Sequence, residues 1–106
     1  MPGSDSDARA LTLVLSDRAA TELAEAVAWY EDRRAGLGLE LLDTVDTLQV
    51  LLLRHPELGI EVRPRIRRAL LRRFPYGVFY TISADAVRIL AIVHSHRHPG
   101  RWPRRA

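Results

Sequence analysis

The chain has 106 residues, 47% of them apolar and 27% charged, with no cysteine and a formal net charge of +3. That length suits one domain and that composition one packed core, which excludes wholesale disorder, while the missing thiol excludes disulfides, thiolate metal sites and a cysteine nucleophile. No apolar run approaches the roughly 18 residues of a membrane span, and Met1–Ala10 lacks the basic start and apolar stretch of a signal peptide, so a cytoplasmic protein is expected.

Residues 1–10 are small, polar and acidic and read as a disordered leader. Leu11–Leu15 (LTLVL) is a short β-prone run. Ser16 and Asp17 then supply a helix start, serine as an acceptor for a free N–H and aspartate at the positive end of the dipole. From Asp17 to Arg34 the residues Ala20, Leu23, Ala24, Val27 and Tyr30 recur at helical spacing and predict one apolar stripe. On such a helix Trp29 and Tyr30 are expected in the core. Gly36 and Gly38 break the helix, Gly36 as a left-handed cap. A second helix is predicted from about Leu37 to Arg54, with Leu41, Val45, Leu48 and Leu52 in one row, ended by His55 and Pro56. So short a turn makes the two helices an antiparallel hairpin.

Glu57–Pro64 reads as a loop. Beyond it the period becomes strand-like: Ile66–Arg73 (IRRALLRR), with imperfect alternation that suggests a bulge, then Gly77–Ile82 (GVFYTI) and Val87–His94 (VRILAIVH). Ser83–Ala86 is the hairpin turn between the last two. The final run is apolar on both faces apart from Arg88 and His94, and is therefore expected to be central. The order strand, two helices, three strands in meander predicts an α+β fold, with the helical hairpin on one face of a mostly antiparallel three- to four-stranded sheet. The domain is expected over residues 11–102, with 103–106 as a basic tail.

All sixteen basic residues are arginine, and they are unevenly placed. Residues 1–62 hold five arginines against twelve carboxylates, whereas residues 63–106 hold eleven against Asp85 alone. The C-terminal half should attract polyanions. Arg63, Arg65, Arg67, Arg68, Arg72 and Arg73 fall within one short stretch followed by Phe74 and Tyr76, and the planar guanidinium suits phosphates or carboxylates. Solvation of an edge strand is the competing explanation. His94, His96 and His98 would share one side of a continued strand, an arrangement that can hold zinc. Pro99 interrupts that strand and no supporting carboxylate is nearby, so no metal and no cofactor are expected. Imidazoles beside arginines could also transfer protons at a phosphate. Trp102, in a polar basic tail, is expected to dock back on the domain or meet a partner.

Four segments in order carry a family likeness: EAVAWYEDRRAGLGLELL at Glu25–Leu42, HPEL at His55–Leu58, IRRALLRRFPYGVFY at Ile66–Tyr80 and VHSHRHPGRW at Val93–Trp102. In these the chain resembles ParE-type members of the ParE/RelE toxin superfamily. The resemblance implies a helical hairpin on an antiparallel sheet, and a toxin silenced by a cognate antitoxin whose extended C-terminal segment wraps it. ParE-type proteins poison DNA gyrase without being nucleases; RelE-type proteins cut mRNA on the ribosome. The absence of lysine rules out a lysine-based nuclease centre, and arginine stays protonated. Under the nuclease alternative the candidates are Arg67, Arg73, Tyr80, His94 and Arg97. Under the binding reading Arg65, Arg67, Arg68, Arg72, Arg73, His96, Arg97 and Trp102 are the residues expected to meet target or antitoxin.

Overall fold

The computed structural model describes residues 11–97 and 99–105. The expected leader at residues 1–10, His98 and Ala106 lie outside that set. The elements are β1 (Thr12–Leu15), α1 (Asp17–Arg33), α2 (Leu37–Arg54), β2 (Ile60–Arg63), β3 (Ile66–Leu70), β4 (Tyr76–Ile82), β5 (Ala86–His94) and a 3₁₀ turn over Pro99–Arg101. The sheet has five strands in the order β1-β5-β4-β3-β2. β1 lies parallel to β5, and every other pair is antiparallel.

The hairpin of helices forms as its sequence dictates. The Ser16 hydroxyl oxygen accepts from Ala19 N–H at 3.0 Å and its O–H donates to the Leu90 carbonyl at 2.9 Å. One side chain therefore caps α1 and ties it to the central strand. Gly36 takes φ +90°, the left-handed conformation that lets α1 turn into α2. The Glu31 carboxylate accepts from the N–H groups of Gly36 and Gly38 at 2.8 and 2.9 Å, filling the role of a cap for α2. At Gly38 a β-carbon would sit 2.8 Å from the Val27 carbonyl, so the helices cross there at a distance only glycine permits.

Leu41, Val45, Leu48 and Leu52 of α2 meet Val78, Tyr80, Val87, Ile89 and Ile92 of the sheet, with Leu23, Val27 and Tyr30 of α1 packed at the margin. A smaller cluster of Ile66, Phe79, Ala91 and Val93 lies on the opposite face and is covered by Trp102. β5 is thus central and covered on both sides, as its sequence predicts.

Two features differ from expectation. Glu57–Pro64 contains β2, a fifth strand. Its exposed Ile60 and Glu61 conceal any alternation, and its hairpin to β3 turns at Pro64–Arg65 with no glycine or asparagine. Arg65 itself adopts φ +66°, and Glu61 Oε2 accepts its N–H at 3.0 Å. The bulge expected within Ile66–Arg73 is absent from β3, and irregularities lie instead in β5 and β2. Phe79 faces Ala91 while Tyr80 faces Ile89, leaving Leu90 as the extra residue of β5, and a second irregularity falls between Glu61 and Arg63 of β2. The Leu90 bulge inverts the alternation, so that Ile92 rejoins Val87 and Ile89 on the helix side.

Candidate functional site

One end of the molecule collects the residues that can carry function. The last turn of α1, the α1–α2 turn, the turn joining β3 to β4 and the end of β5 converge there, because Tyr76 opens β4 opposite His94 and Tyr30 packs edge-on against Phe74 and Tyr76. Arg33, Arg34, Arg72, Arg73, His94, His96 and Arg97 are brought together from four separate segments.

Trp29 is 37% exposed, not core as expected. The guanidinium of Arg33 lies 3.8 Å from its ring centroid and that of Arg97 4.4 Å, so the indole holds two cations in place by cation–π attraction. Arg97 also donates to the Tyr76 hydroxyl at 3.0 Å. Tyr76 is buried, and burial, seconded by the neighbouring Tyr30, pushes its hydroxyl above the ordinary value of 10.0 despite Arg97. The His94 ring packs edge-on to Tyr76 and to His96. Its Nδ1 accepts the backbone N–H groups of His96 and Arg97 at 3.1 and 2.9 Å. A neutral His94 therefore carries its hydrogen on Nε2. Between α1 and the end of β5 a cavity of about 180 Å³ is lined by Glu22, Glu25, Trp29, His94, Arg97 and Arg101, among others.

Arg73 is not free to act alone. It reaches Glu40 Oε1 at 2.6 Å, while Arg34 bonds Oε2 of the same carboxylate at 3.2 Å. Hydrogen bonds from Arg73 and then Arg34 hold Glu40 below its ordinary value of 4.5. After Arg63 the chain carries no carboxylate side chain but Asp85, and α2 supplies Glu40 across space. Arg72 is exposed beside an apolar groove of about 510 Å³ between α2 and β3, whose walls include Leu48, Leu51, Leu58, Leu70 and Leu71. Leu51, Leu58 and Leu70 are exposed there.

The remaining candidates fall elsewhere. Arg67 donates to the Glu57 and Gly59 carbonyls at 3.2 and 2.7 Å and so pins the loop before β2. Tyr80 is fully buried; its hydroxyl accepts from Gly59 N–H and donates to Pro56 O. That removes it from the nuclease candidates, because no ligand reaches it. Arg68 and Trp102 lie on the sheet face away from the helices, with the Arg68 guanidinium 4.7 Å from the indole centroid and Phe79 against the ring at 5.0 Å. The Arg68 Nε is buried without a hydrogen-bond partner. Arg65 is exposed at the far edge in its hairpin. No group of three or more metal-ligating side chains occurs among the described residues, and no described helix is long and apolar enough to cross a membrane.

Glu40, Glu31 and Trp29 were not singled out as site residues by the sequence reading. For Trp29 a signal existed in its spacing, since Arg33 four residues on stacks from the same helical face. Nothing local marks Glu40 as the partner of an arginine 33 positions away.

No curated protein matches the chain. The structure is similar to a solved chain described as the chromosomal ParDE TA system from P. aeruginosa, with a TM-score of 0.71 and 18% identity, covering 81% of this chain and 97% of that one. At that identity the likeness establishes the α+β fold. Residues 13–99 match the family model of the ParE toxin of type II toxin-antitoxin systems, parDE. That match spans both helices and all but the first residue of the sheet, and by it the chain belongs to the ParE toxin family.

Proposed function

We propose that this ParE-family toxin acts by binding DNA gyrase rather than by cutting RNA, and that a cognate antitoxin silences it through the groove between α2 and β3. The observation that carries the first part is the state of the proton-transfer candidates. Tyr80 is sealed in the core, Arg73 is held by Glu40, and His94 uses Nδ1 as an acceptor for two backbone N–H groups. A nuclease needs a general base within reach of a phosphodiester, and each of these three side chains is engaged elsewhere.

The groove supports the second part. Leu51, Leu58 and Leu70 form an apolar trough with Arg72 and Arg73 at one end. An amphipathic segment that folds on binding, leucine-like on one side and acidic at one end, complements it.

Purified protein added to gyrase and supercoiled DNA is expected to trap cleaved DNA and block supercoiling. Normal supercoiling in the presence of excess toxin, together with cut transcripts in a translating extract, would overturn the gyrase reading in favour of an mRNA endoribonuclease acting on the ribosome. For the groove, a Leu51→Glu/Leu70→Glu variant should keep toxicity and lose neutralisation by the antitoxin encoded beside it. Full neutralisation of that variant would place the antitoxin elsewhere.

A further inference from the structure

The Trp29 cage continues into a cationic strip that neither the core nor the groove uses. From Arg97 the chain turns back along α1: Arg18 donates to the Arg101 carbonyl, and a second, open cavity of about 580 Å³ is lined by Arg18, Glu22, Arg101, Trp102, Arg104 and Arg105, among others. It shares Glu22 and Arg101 with the cavity beside Trp29. Pro103 is buried and Trp102 is seated on Phe79 and Arg68, so the exposed arginines on either side project from an anchored segment. Three ion pairs occur among the described residues, Arg18–Glu22, Arg34–Glu40 and Arg73–Glu40. None of them involves Arg33, Arg97, Arg101, Arg104 or Arg105.

The carboxylates facing the strip are Glu22 and Glu25. Glu22 is occupied, since Arg18 bonds Oε2 at 3.1 Å and Ile92 N–H bonds Oε1 at 2.8 Å. Glu25 is exposed and opposes an anion at that point only. Five arginines outside those ion pairs, two of them held against an indole, form a row of anion contacts. A continuous row, as opposed to one pocket, fits a ligand that repeats its charge. Trp29 and His94 rim a cavity too small for a duplex but open to a splayed base.

We propose that this strip, running from Arg33 and Arg97 at Trp29 to Arg101, Arg104 and Arg105, binds the phosphodiester backbone of a single nucleic-acid strand without reading its sequence. The proposal is independent of the gyrase reading, because it concerns the isolated protein.

The test is fluorescence anisotropy of the full chain with a labelled single-stranded oligonucleotide of about 16 nucleotides, titrated at several salt concentrations. Three to five phosphate contacts predict a slope of log affinity against log salt of about −2 to −3.5. Arg101→Ala/Arg104→Ala should flatten that slope by about 1.4, the share of two contacts, and Arg97→Ala should weaken binding about tenfold. The control, Arg54→Ala/Arg88→Ala, removes the same charge from the end of α2 and from the helix-free face of β5, both exposed positions outside the strip, and should leave the slope unchanged. Circular dichroism establishes that each variant is folded, and if the Arg101/Arg104 pair unfolds, Arg105→Glu alone carries the same comparison. Absence of binding at low salt, or equal weakening by the strip and control pairs, overturns the proposal.

Discussion

The Tyr80 hydroxyl and the Gly59 amide are 2.8 Å apart, joined by a hydrogen bond across 21 residues, with the same hydroxyl donating to Pro56 O at 2.7 Å. This is how the exit of α2 is fastened to the middle of the sheet. Tyr80→Phe leaves a buried N–H and a carbonyl unsatisfied and should cost about 1–3 kcal/mol, read as a lower urea midpoint with unchanged slope. Gly59→Ala should cost as much or more, since its β-carbon would stand 2.8 Å from both the Arg68 carbonyl and the Tyr80 hydroxyl. A Tyr80→Phe protein as stable as the parent would mean that the loop does not depend on this contact.

Ser16 joins two elements with one hydroxyl, accepting from Ala19 N–H and donating to the Leu90 carbonyl. Leu90 is the extra residue of the β5 bulge, so the cap also satisfies a carbonyl that the irregular ladder exposes. Ser16→Ala should cost about 1–2 kcal/mol, and Ser16→Gly should not recover it, because a bare backbone cannot bond Leu90. Equal stability of the glycine and serine forms would assign the whole effect to helix propensity.

The helices, the Ser16 cap, the Gly36 turn and the central place of β5 were all legible in the sequence, because each is fixed by residues close together in the chain. Periodicity of Leu41, Val45, Leu48 and Leu52 is local information, and so is a left-handed glycine after two arginines. What stayed hidden depends on tertiary placement. β2 has too few buried positions to alternate, and its hairpin uses arginine where turn chemistry favours glycine or asparagine. The site was half legible: the concentration of arginines is visible, but which are paired is not. Glu40 neutralises Arg73 from another element, whereas Arg97 is turned onto Trp29 by a chain reversal after β5 that no local pattern announces.

Arg65 pays for that hairpin in backbone strain. Its φ of +66° costs a side-chain-bearing residue about 1–2 kcal/mol, partly returned through the Glu61 bond to its N–H. Arg65→Gly keeps that bond and relieves the strain, and after the extra chain entropy of glycine it should stabilise the protein by about 0.5–1 kcal/mol. Arg73, at φ +71°, provides the contrast, since glycine there also deletes the contact with Glu40. The thermal midpoint should rise for the first variant and rise less or fall for the second.

Glu40 makes the site end sensitive to acid. Its folded-state value is depressed below 4.5, first by Arg73 and then by Arg34, so its contribution is present above 4.5 and is lost as pH falls through the folded value. Glu40→Gln should therefore be less stable than the parent at neutral pH, and the gap should close on acidification below 4.5. A gap that persists unchanged in acid would show that the carboxamide fails by shape and not by charge.

At the alkaline limit the tyrosines act with the opposite sign. Burial raises the hydroxyls of both Tyr76 and Tyr80 above 10.0, so each is kept neutral in the folded protein at a pH where the unfolded chain has begun to ionise. Their stabilising contribution is complete below 10.0 and is lost as pH rises through the folded values. Stability should accordingly decline above pH 10, and more steeply than in a Tyr76→Phe/Tyr80→Phe double variant, which has no such protons to lose. The two single variants separate the sites. At Tyr80 the hydroxyl holds a loop, so phenylalanine lowers stability at every pH. At Tyr76 it receives the Arg97 bond at the rim, so phenylalanine should change neutral-pH stability little while releasing Arg97 from one of its two anchors. If Tyr76→Phe leaves the alkaline limb of the parent unaltered, this tyrosine titrates as an exposed one and the rim is open to solvent.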